Sequence, residues 1–370
     1  RIIFSLIWIL FTSITTEVPL VSFKFLLSRL SFVVPFYFLI IVMFRKRKTI
    51  KLFIWLYTIS FIIVVIYTLV RHVSYGMGED EGHWVMDPFY NDHTAYGAVL
   101  AMYIPVMFGF FLDRNYSQST RFIALAVFLL FVVAIVFSYS RAAWLSVAGA
   151  FIVLILVLLK VKFKYVFLTV VVLVSLFFTF QHQILDRLEK NEQDSSSNFA
   201  DHIRSITNIS SDASNLERIN RWQSALRMFH ERPFWGWGPG TYQFLYAPYQ
   251  RAKEKTIIST NAGDLGNAHS EYIGPLAERG VLGMLGVLFI FGFSVYTGLK
   301  VYRRSREREI KILSLSVTLG LITYYLHGFL NNFLDTDKAS VPVWGFIAVL
   351  VALDIYHINK QDKTSLEDAS

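Results

Sequence analysis

The 370-residue chain contains no cysteine. Disulfides, thiolate metal sites and cysteine nucleophiles are therefore excluded together. Charge is also scarce: Asp, Glu, Lys and Arg make up 17% of the residues, against roughly 25% in an ordinary soluble domain. There is no internal repeat, and no basic tract interleaved with the aromatics that would stack nucleic-acid bases. Hydrophobic residues, by contrast, reach 54%, aromatic residues 16%, and Phe alone contributes 34. Mean hydropathy is +0.47. This balance excludes a disordered protein, a coiled coil and a typical soluble enzyme. It predicts an all-α integral membrane protein, a polytopic helical bundle. The chain opens on Arg1 rather than Met and its first apolar run is short. It reads as trimmed at the N-terminus, with no cleavable signal.

A spanning helix needs about 20 mostly apolar residues. Ten runs qualify: 2–15, 28–44, 52–70, 94–112, 122–138, 143–159, 164–181, 274–298, 311–328 and 340–356. Alternating spans put Arg45, Lys46, Arg47, Lys48, Lys51, Arg114, Arg121, Lys160, Lys162, Lys164 and the Lys300–Lys311 cluster on one face, with Lys360 and Lys363 in the tail. By the positive-inside bias that face is cytoplasmic. The net charge of +8 thus reads as a topology signal and not as a nucleic-acid footprint. The opposite face carries Glu79, Asp80, Glu81, Asp87, Asp92, Asp335 and Asp337. It also holds one long segment with a Ser/Asn-rich stretch from Asp194 to Asn198. A segment that long inside a compact bundle is usually functional. The expected organisation is a transmembrane bundle over 1–181, a large and partly helical outer loop over 182–273, C-terminal spans over 274–357 and a cytoplasmic tail over 358–370.

Polar side chains gather at the outer mouths of the spans. Arg141, in Ser138-Tyr139-Ser140-Arg141-Ala142-Ala143-Trp144, stands where one span ends and the next begins. It either snorkels to headgroups or presents a planar guanidinium to a phosphate. In the stretch from Asn215 to Phe229, Ile219, Trp222, Leu226 and Phe229 recur at spacings of three and four. They predict an amphipathic helix that packs, or lies on the membrane, by its apolar face. Arg218 and Trp222 share a face of it, and Arg221 lies close by; these arginines are either ordinary solvated residues or anion ligands. Pro233 to Tyr242 is a glycine-punctuated loop and no dinucleotide fingerprint, since no strand precedes it. Trp235, Trp237, Tyr242, Tyr246 and Tyr249 offer ring faces to sugars or lipid, or simply pack the loop. His269, at the mouth of a span, is either structural or a base suited to neutral pH, since an imidazole titrates near 6.5. Glu278 and Arg279 lie deeper and are either paired structural groups or part of a site. Asp92-His93 orients substrate or caps a helix. No His-x-x-x-His or acidic-cluster spacing suggests a metal.

In order and topology, four of these motifs resemble the O-antigen ligase/polymerase superfamily. They are the Ser-Arg-Ala-Ala start of a span, the Arg218-x-x-x-Trp222-x-x-Ala225-Leu226 helix, the Pro233-Phe-x-Gly-x-Gly-Pro-Gly-Thr-Tyr242 loop and the His269-Ser-x-Tyr272…Glu278-x-Gly-x-x-Gly283 segment. The same C-terminal domain occurs in bacterial O-linked oligosaccharyltransferases. The resemblance covers residues 92–328. It implies a GT-C-like membrane glycosyltransferase, inverting and metal-independent, with no cofactor. Such an enzyme moves a glycan from undecaprenyl pyrophosphate to an acceptor hydroxyl at the periplasmic face of the bacterial inner membrane. Its partners would be that donor, a lipid A–core, glycan or protein acceptor, and the bilayer, with no nucleic acid. By resemblance, His269 is the general base, and Arg218 (with Arg221 as the near alternative) and Arg141 are the catalytic arginines. Substrate contacts fall to Arg221, Trp222, Asp92, His93, Tyr242 and Glu278. Ser270 departs from the family, which often has Asn there.

The residue chemistry is compatible with this. A departing pyrophosphate needs positive charge on its oxygens, which two arginines supply. A base at the attacking hydroxyl contributes about 10²–10⁴-fold. A ligase is expected first, a polymerase second and protein glycosylation third. A lipid-linked sugar transporter would instead show charged or broken spans near mid-membrane. A receptor whose outer loop binds a partner is the remaining alternative.

Overall fold

The computed structural model describes residues 1–162, scattered positions between 164 and 179, and residues 213–255, 259 and 266–358. Helices joined by turns and loops make up these regions, with no strand among the described residues. We label its main helices α1 (Ile2–Ile14), α2 (Pro19–Met43), α3 (Arg47–Ser74), α4 (His93–Leu112), α5 (Gln118–Val136), α6 (Arg141–Leu158), α7 (Ala213–Glu231), α8 (Ile273–Arg304), α9 (Arg308–His327) and α10 (Asp337–Ile358). Eight of these, all but α1 and α7, are long and apolar enough to cross a membrane. The protein is a polytopic helical membrane protein.

Two expectations about the spans are corrected. The first apolar run forms a helix of 13 residues. At about 1.5 Å per residue it reaches roughly 20 Å, short of the ~30 Å hydrocarbon core. The second span starts at Pro19, ahead of the expected 28, because Pro at the first turn is preorganised for a helix and its missing N–H costs nothing there. Lys24 and Arg29 are carried inside it. Eight of the eighteen positions of the run at 164–181, the Asp194–Asn198 stretch, Lys360 and Lys363 lie outside the described residues.

Burial separates an inner from an outer set. In α4, α9 and α10, 72%, 78% and 72% of the apolar stretch is buried, against 17–28% in α2, α3, α5 and α6. The inner helices form the core, and the outer ones leave large apolar side chains such as Leu56, Ile63, Phe122 and Phe151 exposed, as lipid-facing helices do.

The basic loops share one end. Arg47 pairs with Glu307, Lys51 Nζ lies 2.5 Å from Glu309 and Lys300 2.7 Å from Asp354. At the other end, caps fix the starts of two helices beside each other. Asp92 accepts from the Thr94 N–H at 2.8 Å to open α4, and Ser140 accepts from the Ala143 N–H at 3.4 Å to open α6. The two first turns are in contact, since a Cβ on Gly97 would stand 2.8 Å from that of Ser140.

Candidate active site

The site is built where α7, the glycine loop and the start of α8 meet. Helix α7 packs by an unexpected face. Glu217, Asn220, Ser224, Ala225 and Met228 are buried, while Ile219, Trp222, Leu226 and Phe229 remain partly exposed. Asn220 Nδ2 donates to Gln250 Oε1 at 2.9 Å and Ser224 Oγ donates to the Asn220 carbonyl at 2.9 Å, while Asn220 Oδ1 has no partner among the described residues. Hydrogen bonding makes the inward polar face affordable, so the apolar stripe is left outward. Ala225 and Met228 join Trp237, Tyr242, Tyr246, Ala268 and Ala277 in a small core of their own. The rings of Trp237, Tyr242 and Tyr246 are thus spent on packing, with Tyr242 and Tyr246 stacked at 5.0 Å. Trp235 stacks on Trp8 at 5.3 Å.

The glycine loop is clipped to α8 by main-chain bonds. Trp237 N donates to the Ala277 carbonyl (3.1 Å), Gly238 N to the Glu278 carbonyl (2.7 Å) and Val281 N to the Pro233 carbonyl (2.9 Å). This requires α8 to break at Gly280, whose φ of 65° and ψ of −168° are open only to glycine. A Cβ there would overlap the Phe234 carbonyl, and one on Gly236 would overlap the Glu278 backbone. The Thr16 hydroxyl donates to the Trp237 carbonyl (2.9 Å), Ser22 to that of Pro239 (3.0 Å), and the Trp8 indole to that of Arg279 (2.9 Å). The first helical hairpin therefore holds the loop from the other side.

His269 stands in a tight turn with φ 45°, its own N–H donating to Asn267 Oδ1 at 2.9 Å. Ser270 is buried, and its hydroxyl accepts from the Tyr272 and Ile273 N–H groups at 3.3 Å, capping α8. Arg221 Nη1 lies 3.2 Å from His269 Nε2 and donates to the Asn267 carbonyl at 3.2 Å. Arg221 Nε donates to Glu217 Oε1 at 2.8 Å, one turn back on α7. An arginine has no acceptor, so His269 Nε2 carries the lone pair in this contact. Burial, then the charges of Arg221 and Arg218, lower the His269 pKa to about 4, with Asp92 and Glu217 opposing. The imidazole is held neutral.

The structure thus brings together His269, Arg221, Arg218 and Asp92. Asp92 also caps α4, and His93 stacks on His83 at 4.2 Å. Arg141 opens α6 at the same end of the bundle, on the neighbouring first turn. Trp222 is partly exposed, and its indole N–H is buried with no hydrogen-bond partner among the described residues. Tyr242 donates from its hydroxyl to the Arg221 carbonyl at 2.8 Å. Glu278 accepts from the Tyr242 N–H at 3.1 Å, so both residues hold the loop in place. Sequence reasoning missed Glu217, although its spacing of four from Arg221 is a readable helix pair. It also missed Glu271, whose Oε1 accepts from the Tyr324 hydroxyl (2.6 Å) and the N–H groups of Phe333 (2.8 Å) and Leu334 (2.9 Å). That carboxylate ties the His269 turn to the end of α9, and burial raises its pKa. No group of three His, Asp or Glu side chains converges as a metal site would among the described residues.

A search among curated proteins finds no match. The family model described as O-antigen ligase matches residues 125–288. That stretch runs from α5 through Arg141, α7 and the glycine loop to His269 and the break in α8. Residues 125–288 are similar to the O-antigen ligase-related superfamily, and the match supports that kinship for this part of the chain.

Proposed function

We propose that this chain is an inverting, metal-independent glycosyltransferase of the periplasmic face. It would move a glycan from undecaprenyl pyrophosphate to an acceptor hydroxyl, with lipid A–core as the acceptor of an O-antigen ligase. The observation that carries this reading is the contact of Arg221 with His269, in a turn at the mouth of the bundle with Arg218 close by.

In this reading the diphosphate lies against Arg221, Arg218 and Arg141 at headgroup level, where guanidinium groups match phosphate oxygens. Burial and two arginine charges hold His269 neutral in the free protein, and the donor offsets the charges. The basicity of the imidazole rises once the donor is in place. His269 takes the proton of the acceptor hydroxyl as that oxygen attacks the anomeric carbon. The bond from that carbon to the diphosphate oxygen breaks, and the arginines stabilise the charge left on the leaving group.

Helix α8 is broken, and it carries Glu278 and Arg279, a feature a transporter would share. The break falls seven residues from the start of the helix, roughly 10 Å in, beside the proposed reaction site rather than at mid-membrane. Transfer chemistry therefore accounts for it without a transport path. The deciding assay is transfer of a lipid-pyrophosphate-linked glycan by purified protein, together with the lipopolysaccharide of a deletion strain. Loss of all polymer from core supports a ligase. A single repeat unit on core would point to the polymerase instead, and unchanged lipopolysaccharide would sink both.

A further inference from the structure

A second polar chamber adjoins the His269 turn. It is a cavity of about 220 Å³ bounded by α2, the glycine loop, the start of α8 and the loop after α9. One water needs only about 10–15 Å³ by this kind of measure, so the chamber has room for a small molecule. Its walls include Asn267, Ala268 and Ser270, the neighbours of His269.

Its chemistry differs from that around Arg221. Arg29 and Arg279 face Glu271, Glu278 and Asp335 across it. Arg29 already pairs with Asp335 at 2.7 Å. Two cations against three carboxyls leave no excess positive charge to attract a phosphate. Two side chains on its wall nevertheless carry an unpartnered polar atom. Arg279 is 5% exposed, and its Nε has no hydrogen-bond partner among the described residues. Asn332 Oδ1 is buried and likewise unpartnered. Gln243 completes this polar lining. Buried polar groups are normally satisfied, so lining residues that carry an unpaired donor and an unpaired acceptor, both shielded just beneath the cavity surface, suit a ligand that both accepts and donates. A sugar hydroxyl does both.

We propose that this chamber is a subsite for one uncharged sugar ring, that of the acceptor, which it holds beside His269 through Arg279, Asn332 and Gln243. The assignment to the acceptor rests on the glycosyltransferase reading above, in which the donor diphosphate takes the arginine-rich side.

The test is saturation-transfer NMR on the full chain in detergent, with free glucose, galactose, N-acetylglucosamine and galacturonic acid as probes. At least one neutral sugar should give a signal. Asn332→Ala and Gln243→Ala should each weaken it about fivefold, the worth of one hydrogen bond, while His269→Ala leaves it in place. Folding of each variant is checked by its melting profile, and either variant alone suffices. No signal from any neutral sugar, a signal that survives both variants, or one lost in His269→Ala would overturn the subsite. In the transfer assay, both variants should raise KM for acceptor and leave KM for donor unchanged. A raised donor KM would overturn the acceptor assignment. Sugar binding without transfer in the unmodified protein would instead sink the glycosyltransferase reading.

Discussion

Arg221 Nη1 lies 3.2 Å from His269 Nε2, and the same guanidinium is anchored by Glu217 one helical turn behind it. The imidazole is thereby given a partner that can only donate. In the proposed mechanism burial and this contact hold the base neutral in the free protein, and a bound diphosphate raises its basicity.

His269→Ala should lower transfer by about 10²–10⁴-fold with little change in donor binding. A purified-protein assay at matched expression reads this directly. Full transfer by the variant would remove His269 from the chemistry.

The pH dependence has a definite sign. With a folded-state pKa of about 4, His269 stays neutral in the free protein throughout the ordinary working range. The acid limb of kcat/KM should fall near that value, and that of kcat should lie higher, because bound donor offsets the arginine charges. Arg221→Met should move the kcat/KM limb upward. The same depression makes the unfolded chain bind more protons between pH 4 and 6.5. Stability from this group is therefore complete above 6.5 and is lost as pH falls toward 4. Coincident limbs for kcat and kcat/KM would argue against the charge offset.

Glu217→Ala leaves the Arg221 guanidinium without its buried carboxylate. The pair is well shielded, with side-chain exposures of 11% and 4%, so loss of one partner should cost about 3–5 kcal/mol. Thermal unfolding in detergent would show the drop. Transfer should fall too, because Arg221 loses the anchor that aims it at His269.

Gly280→Ala should prevent the glycine loop from docking, since the added Cβ overlaps the Phe234 carbonyl at a backbone geometry reserved for glycine. Gly292→Ala in the same helix meets no atom within 4 Å and should be tolerated. Comparing the yields of folded protein for the two variants separates a local requirement from a general intolerance of α8.

Much of this was legible in the residues. Apolar run lengths gave the membrane class, and the lysine and arginine loops proved to share an end. The turn at His269 and the arginines of α7 do stand together. Other features depended on tertiary context. The outward apolar stripe of α7 could not be told from a buried one by spacing, because near lipid both solvents of a helix can be apolar. The choice between Arg218 and Arg221 as the neighbour of His269 turned on helix rotation, which the buried face of Glu217, Asn220, Ser224, Ala225 and Met228 sets. Arg29 in α2 gave no sign that Asp335, 306 residues later, would pair with it.

The clip between the glycine loop and α8 has a further consequence. Its donors and acceptors are peptide groups, and the side chains of the loop take no part in those three bonds. The docking of the glycine loop on the first turns of α8 is thus separated from the identity of the loop's side chains. Residues such as Gln243 and Asn332 could change to suit a different glycan without undoing that docking, provided the glycines stay. A scaffold of this kind lets substrate choice drift while the reaction stays in register.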